Sequence, residues 1–287
     1  MRQKSADLRQ VVKNAIERTS RKYDLQMQQM RDTEKREKYR NYGELLTVYG
    51  YNIEPKAKSV TVQDYNTGKE VTIPLDPRLT ASENAQKYYD RYNKLKRTFE
   101  SLETLTVTVK GQLEHLESVR YALDMAETEA ELTEIRRELV VAGYIRDRGG
   151  AGKKSGGKKD ILPPRHYLSS DGFHMYVGRN NLQNDELTFH VANGGDWWFH
   201  AKKMPGSHVI LKTGGQEVPD RAFEEAAALA AYYSRGREQG KCEIDYLQRK
   251  NVKKPNGAAP GYVIYYTNYS MVAAPDISAL TLCEGDQ

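Results

Sequence analysis

The side chains best suited to chemistry in this sequence lie in one stretch of its second half, which holds four of the six histidines and both tryptophans. Within that stretch, the run DWWFH has the alternation of a β-strand. A strand would place Asp196, Trp198 and His200 on one face and Trp197 and Phe199 on the other. On an exposed face, an aromatic ring, an imidazole and a carboxylate can stack on a nucleobase and hydrogen-bond to it. The trio is therefore a candidate RNA contact. The alternative is a buried structural group in which Asp196 binds a backbone amide or His200.

Metal and hydrolase sites fit the same residues less well. His200 and His208 lie near Asp196 in the sequence, but there is no HExxH motif and no paired Cys/His spacing. Ser207 and His208 together with Asp196 suggest a catalytic triad. However, the chain has no G-x-S-x-G nucleophile elbow, and PGSHVIL is more typical of a turn that enters a strand. We therefore expect no metal, no cofactor and no catalytic residue, and a chain that binds rather than catalyses.

Basic residues that could contact phosphate groups are concentrated in two segments, although the net charge is only +5. Positions 148–159 read RGGAGKKSGGKK, and positions 249–254 read RKNVKK. Clustered cations without matching acids favour an anionic partner. The first segment also fits a solubilising linker, whereas the second lies in a predicted folded region and is the stronger signal. The candidate phosphate contacts are Arg179, Lys202, Arg249, Lys250, Lys253 and Lys254.

The composition, the first residues and the cysteines indicate the cellular compartment. The sequence contains no run of 18 apolar residues, so no membrane span is expected. Its first residues, MRQKSADLRQ, lack the apolar core of a signal peptide. Cys242 and Cys283 stand alone, which fits a reducing compartment. These features predict a cytoplasmic location.

The residue pattern in the first half of the chain predicts a helical arm that covers residues 1–147. Residues 5–48 contain no proline, and no glycine before Gly43, which favours one long helix. A second helix is expected to begin after Thr80, which has capping-box spacing to Glu83. Its seam positions recur at steps of four and three, as in a coiled coil, with Thr106 and Arg120 at the two that are not apolar. The apolar positions are Tyr88, Tyr92, Leu95, Phe99, Leu102, Val109, Leu113, Leu116 and Leu123.

The segment between these two helices, at about residues 49–80, predicts a small β-hairpin at the tip of the arm. The runs SVTVQDY and KEVTIPL alternate β-branched and polar residues on either side of the turn Asn66-Thr67-Gly68. Because the helices are joined through this insertion, they must run antiparallel. The predicted arm is thus a long antiparallel coiled coil.

After the arm, positions 148–160 predict a Gly/Lys linker and positions 161–276 a folded module. Strands are expected in RHYLSS, FHMYVG, WWFHA, HVILK and GYVIYYTNY, with a further possible strand in CEIDYL, and a helix begins at Pro219. The run DELTFHVA fits a short helix or a strand, and the helix is favoured. The module is therefore of the α+β class, with a mainly antiparallel sheet and a covering helix. The tail, 277–287, is expected to be loose.

The same module resembles a known family. The runs DG-x5-GRNN-x2-ND-x-LT, D-x-WFHAK, PGSHV and VKKPNGAAPG are similar to the C-terminal RNA-binding module of the NFACT proteins. These are RqcH-like ribosome quality-control factors, which are also labelled fibronectin-binding protein A. The resemblance is close over roughly residues 160–275 and looser over the helical part before them.

The resemblance implies that the chain is a fragment consisting of the coiled-coil arm and the RNA-binding module. Such a fragment would bind the stalled large ribosomal subunit through rRNA and tRNA, and would support template-free alanine tailing of nascent chains. The family motif D-x-W-x-H corresponds to Asp196, Trp198 and His200. The alternative that the family label suggests is an adhesin-like protein that binds fibronectin.

Overall fold

The computed structural model describes residues 2–146 and 162–283, so the predicted linker at 148–160 lies outside the described residues. The chain begins with helices α1 (Arg2–Asp32) and α2 (Arg36–Tyr49). The single helix predicted over residues 5–48 is therefore wrong at one point, the break between α1 and α2. The buried Thr33 hydroxyl donates to the Met30 carbonyl at 2.6 Å, and the Thr33 amide turns to the same carbonyl. This side-chain bond competes with the helical hydrogen-bond pattern and interrupts it.

The predicted hairpin follows, as strands β1 (Ser59–Gln63) and β2 (Glu70–Pro74), which pair antiparallel. Helix α3 (Ala81–Met125) then begins at the predicted capping box, in which the Thr80 amide donates to the Glu83 carboxylate at 2.7 Å. The chain falls into two compact units, one of Ser20–Lys110 and one of Met1–Thr19 with Gly111–Gln287.

Each unit contains a contact between α3 and an earlier helix. In the unit of Ser20–Lys110, Leu45 and Leu46 of α2 pack with Tyr88 near the start of α3. In the other unit, the first turns of α1 pack with the last turns of α3, as Val12 does with Leu123. Within the unit of Ser20–Lys110, Tyr42 meets Tyr88 edge-on while the earlier Arg36 lies over the later Phe99, so α2 and α3 run antiparallel there, as predicted.

After α3 come helix α4 (Glu129–Val141) and then, in the second half of the chain, a seven-stranded sheet. The strands are β3 (Arg165–Leu168), β4 (His174–Val177), β5 (Trp197–Ala201), β6 (Val209–Leu211), β7 (Cys242–Gln248), β8 (Tyr269–Ala273) and β9 (Thr281–Cys283). Their order is β8-β7-β5-β6-β4-β3-β9, and every neighbouring pair is antiparallel. The predicted α+β class is confirmed.

Other elements pack on both faces of the sheet around the middle of β5, and they decide which β5 side chains are buried. Helix α6 (Asp220–Tyr232) lies on one face, where its alanines let it approach Phe199 and Ala201 closely. The other face carries helix α5 (Asn181–Glu186), its π-helical continuation Leu187–Val191, and the segment around Val252. The helical interpretation of DELTFHVA is thus correct.

The end of the chain differs from the prediction. The run GYVIYYTNY is an irregular loop, apart from a single bridge between Lys253 and Ile264, and β8 begins only at its last residue. Side chains hold this loop, because the buried Asp245 accepts hydrogen bonds from Tyr265 at 2.9 Å and Asn268 at 2.9 Å. The expected loose tail contains β9, which pairs with β3 and closes that edge of the sheet.

Candidate nucleic-acid interface

The trio Asp196, Trp198 and His200 does not form an exposed face. Trp198 and His200 do point away from Phe199, as alternation predicts, but Trp198 is only 1% exposed and packs among Leu187, Ile210 and other apolar side chains. Asp196 is also 1% exposed. The expectation that Trp198 offers a stacking surface is therefore wrong, because the π-helix and the segment at Val252 cover this side of the sheet.

Asp196 organises backbone instead. It accepts hydrogen bonds from the Asn193 amide at 2.7 Å and from the Thr213 amide at 3.0 Å, and Lys212 lies 2.6 Å away. Burial alone would raise the pKa of this carboxyl group, but the Lys212 ammonium and the two amides outweigh burial and lower it. The alternative that Asp196 binds a backbone amide is the one observed.

Two histidines adjoin Trp198 on this side of the sheet: His208 is buried, and His200 keeps part of its surface. The rings of Trp198 and His200 are stacked with centroids 5.7 Å apart, and His208 meets Trp198 edge-on at 5.1 Å. Burial lowers the pKa of His200 to about 4 and moves the pKa of His208 well below its ordinary value. The His208 Nδ1 is 2.8 Å from the Thr188 hydroxyl. Both rings are therefore neutral at physiological pH and serve as packing groups.

The predicted cation Arg179 has a structural role. Its guanidinium donates to the Pro163 carbonyl at 2.9 Å and to Glu131 of α4 at 2.8 Å. Arg165 reaches the same carboxylate oxygen at 2.9 Å. Burial alone would raise the pKa of Glu131, but the Glu127 amide and these arginines lower it.

The rest of the GRNN motif continues this contact with α4. Asn180 and Gln183 donate to Glu134 at 2.6 and 2.9 Å, and Asn181 donates to Glu138 at 2.7 Å. We call this set of contacts the α4 clamp: Glu131, Glu134 and Glu138 with Arg165, Arg179, Asn180, Asn181 and Gln183. Sequence reasoning missed it. The available signal was three glutamates at helical spacing, all on one face of α4.

Three more of the predicted cations are already paired. Lys202 contacts Glu243 at 2.5 Å, and Lys254 forms an ion pair with Asp185. The Arg249 guanidinium donates to the Thr188 carbonyl at 2.6 Å and lies over the Phe189 ring, so it caps the end of the π-helix. These side chains are poor candidates for direct phosphate contact.

Lys250 and Lys253 remain available. Both are exposed, and neither has a salt bridge or a side-chain hydrogen bond within residues 2–146 and 162–283. An antiparallel bridge between Lys253 and Ile264 holds the backbone at Lys253 against the tyrosine-rich loop, 261–268. Tyr266 in that loop is 83% exposed. A free ammonium group at Lys253 beside an aromatic loop, with a second at Lys250 three residues earlier, offers the cations and exposed rings that suit a nucleic-acid contact.

A metal-ion cluster and a membrane-spanning helix are both absent from the described part of the chain. Among its residues there is no group of three or more His, Cys, Asp or Glu side chains that could hold a metal ion. Its helices also include none that is both long enough and apolar enough to cross a membrane.

Comparison with known proteins assigns the chain to a family. Residues 1–158 match the family model described as NFACT N-terminal and middle domains, and residues 164–266 match the NFACT protein RNA binding domain. Curated relatives named "Rqc2 homolog RqcH" include one from Streptococcus suis, 39% identical over 95% of this chain, and one from Bacillus subtilis, 33% identical over 96%. The chain spans about half the length of these relatives, 48% in both cases.

A solved structure is similar over nearly the whole chain. It is the C-terminal part of the fibronectin/fibrinogen-binding protein from Streptococcus suis, which is 33% identical, with a TM-score of 0.72 and 96% of each chain covered. Family models and relatives thus agree over the helical part and the sheet-containing part. The chain belongs to the NFACT family.

Proposed function

We propose that this chain is the RNA-binding part of a ribosome quality-control factor. In this proposal it binds the stalled large ribosomal subunit and tRNA in the cytoplasm, and it supports template-free alanine tailing of the nascent chain. The observation that carries the proposal is the match of residues 164–266 to the NFACT protein RNA binding domain. The chain acts by binding, and peptide transfer is left to the ribosome.

The surface geometry supports an electrostatic contact with RNA. Lys250 and Lys253 are exposed and unpaired within the described part of the chain, and they project from a backbone held by the Arg249 contacts and the Ile264 bridge. Cations held in register by folded backbone can each displace a counterion from the phosphate chain. This contact gives affinity for RNA in general, and it leaves the choice among RNAs to other contacts.

The test is a binding panel with the 287-residue chain and three purified ligands: large ribosomal subunits, deacylated tRNA and fibronectin. We expect binding to the subunits and to tRNA that weakens as salt rises from about 50 to 200 mM, since counterion release drives it. A double variant, Lys250→Glu with Lys253→Glu, should bind both more weakly. If neither RNA ligand binds at low salt, the proposal is wrong.

A second candidate function is binding of fibronectin. The observation in its favour is the likeness to the solved Streptococcus suis structure, which belongs to a fibronectin/fibrinogen-binding protein. The same panel separates the two functions. The second function would be favoured if fibronectin bound saturably, and equally to the wild type and to the double variant at Lys250 and Lys253, while large subunits did not bind.

A further inference from the structure

A group of partly exposed aromatic rings lies at one end of the sheet, on the face that carries α6. Trp197 of β5, Tyr246 of β7 and Tyr269 of β8 form a continuous row across three neighbouring strands. Their ring centroids are 5.9 Å apart for Trp197 and Tyr246, 5.4 Å for Tyr246 and Tyr269, and 6.2 Å for Trp197 and Tyr269. We call these three residues the aromatic row.

The row is covered only in part, because α6 begins beside it; Tyr246 stacks on the buried Phe199 at 5.4 Å and lies 5.8 Å from Phe223. Phe223, in the first turn of α6, meets Trp197 edge-on at 4.9 Å and marks the limit of the helix's cover. Deeper in the sheet, Phe199 and Ile244 are fully buried by the alanine-rich part of the helix. Trp197 and Tyr246 keep part of their surface, and Tyr269, on the edge strand, is 62% exposed.

The row has a cationic residue at one side and an anionic residue at the other. Gln248 is paired with Trp197 in the sheet, and the Lys250 amide donates to the Gly194 carbonyl at 3.1 Å, which places Lys250 at the Trp197 end. Asp220, at the start of α6, lies near Tyr246 and adds negative charge there. A phosphate chain is therefore attracted on the Lys250 side and repelled on the Asp220 side.

We propose that the aromatic row is a binding site for the unpaired bases of single-stranded RNA, with Lys250 taking a phosphate. This inference rests on the proposed function and specifies its RNA class. Flat rings set across a sheet surface stack on splayed bases, and every base offers a π-face, so the site tolerates sequence. A base-paired duplex keeps its bases stacked on each other and cannot use such a row.

The experiment measures binding of the 287-residue chain to a fluorescein-labelled oligo(A) strand by anisotropy, with an RNA duplex of equal length and large ribosomal subunits run in parallel. The main variant is Tyr269→Ala, which removes the most exposed ring from an edge strand. Its matched control is Val272→Ala on the same strand. Val272 is 68% exposed but points to the opposite face, as its neighbour Ser270 does when it donates to Asp245.

We expect Tyr269→Ala to weaken oligo(A) binding by about 5- to 100-fold, as deletion of a stacking ring does, and Tyr269→Phe to restore it. Val272→Ala should leave binding unchanged. Stacking of a base on Trp197 should also quench tryptophan fluorescence. The change can be attributed to Trp197 because the other tryptophan, Trp198, is buried. A Trp197→Phe variant should then bind oligo(A) without that quenching.

Four results would each overturn the inference. Equal affinities of the wild type and Tyr269→Ala for oligo(A) would show that the row is not used. Preference for the duplex would show that unpaired bases are not the ligand. Binding to large subunits without any binding to oligo(A) would remove the row and leave the proposed function intact. If neither subunits nor oligo(A) bind, the proposed function fails and the inference fails with it.

Discussion

Asn181 of α5 and Glu138 of α4 are joined by a hydrogen bond of 2.7 Å, although 43 residues separate them in the chain. Both side chains are buried, and Asn181 also accepts from Ser118 of α3 at 2.7 Å while His115 lies 2.8 Å from Glu138. A buried carboxylate is costly unless polar groups surround it. The asparagine is therefore part of what makes the buried position of Glu138 tolerable.

The first prediction concerns this contact. Replacing Asn181 with alanine should reduce the free energy of unfolding by about 1–3 kcal/mol, because it leaves buried polar partners unpaired. Urea denaturation followed by tryptophan fluorescence measures the change. The control is Asn256→Ala in an exposed turn, which should stay within about 0.5 kcal/mol of wild type. Equal effects at the two positions would contradict the role given to the α4 clamp.

The second prediction separates structure from binding at Trp198. Because this ring is 1% exposed and enclosed by apolar side chains, Trp198→Ala should cost about 3–5 kcal/mol of stability. RNA affinity should fall only under conditions in which the variant unfolds. A variant with unchanged melting temperature and weakened RNA binding would instead restore the stacking role expected from the sequence.

The third prediction concerns the two free lysines. Neutralising Lys250 and Lys253 to glutamine should weaken RNA binding and reduce the slope of log affinity against log salt by up to roughly 0.7–0.9 per lost phosphate contact. The same double change at Lys58 and Lys241, which are exposed elsewhere, should leave the slope near that of wild type. A single Lys254→Gln change should have less effect than Lys253→Gln, because Lys254 is paired with Asp185. Identical slopes in all variants would exclude the 249–254 segment as an RNA contact.

The fourth prediction concerns pH. Burial depresses the pKa of folded His200 to about 4, whereas the unfolded chain binds that proton near pH 6.5. Between these values the unfolded state holds more protons, so stability is greatest above about pH 6.5 and declines as pH falls towards 4. Denaturation at pH 7 and pH 5 should show this loss, and a His200→Gln variant should show a smaller one. His190→Gln, at an exposed position, should behave as wild type. If the two variants lose equal stability, His200 is not the source.

The elements predicted correctly are those that short-range sequence patterns determine. The hairpin was marked by alternation around a turn, and α3 by its capping box and repeating apolar residues. The antiparallel sheet was marked by short β-rich runs between turns. Loop 261–268 was misassigned because its β-branched and aromatic residues suit a strand, while the side-chain bonds to Asp245 that fix it come from tertiary contacts. Propensity alone does not contain that competition.

The site was harder to predict than the fold. Alternation correctly separated the two faces of β5, but it carries no information about which face another element covers. Trp198 was expected outside and lies inside, while Trp197 was expected inside and keeps a surface. Similarly, clustered charge identified the 249–254 segment, but only the structure distinguishes Lys253, which is free within the described residues, from Arg249, which is used to hold the π-helix.

The α4 clamp bears on how this family can be divided and recombined. The match to the RNA-binding domain begins at residue 164 and ends at residue 266. A polypeptide cut at those limits would lack the carboxylates of α4 at one end and the strands β8 and β9 at the other. Asn180, Asn181 and Gln183 would face water where they now meet glutamates. The segment that keeps these contacts intact is therefore longer than the segment that matches the family model, and α4 must be transferred together with the sheet. A chimera that takes α4 and the sheet from different relatives has to preserve both the glutamates and the side chains that donate to them.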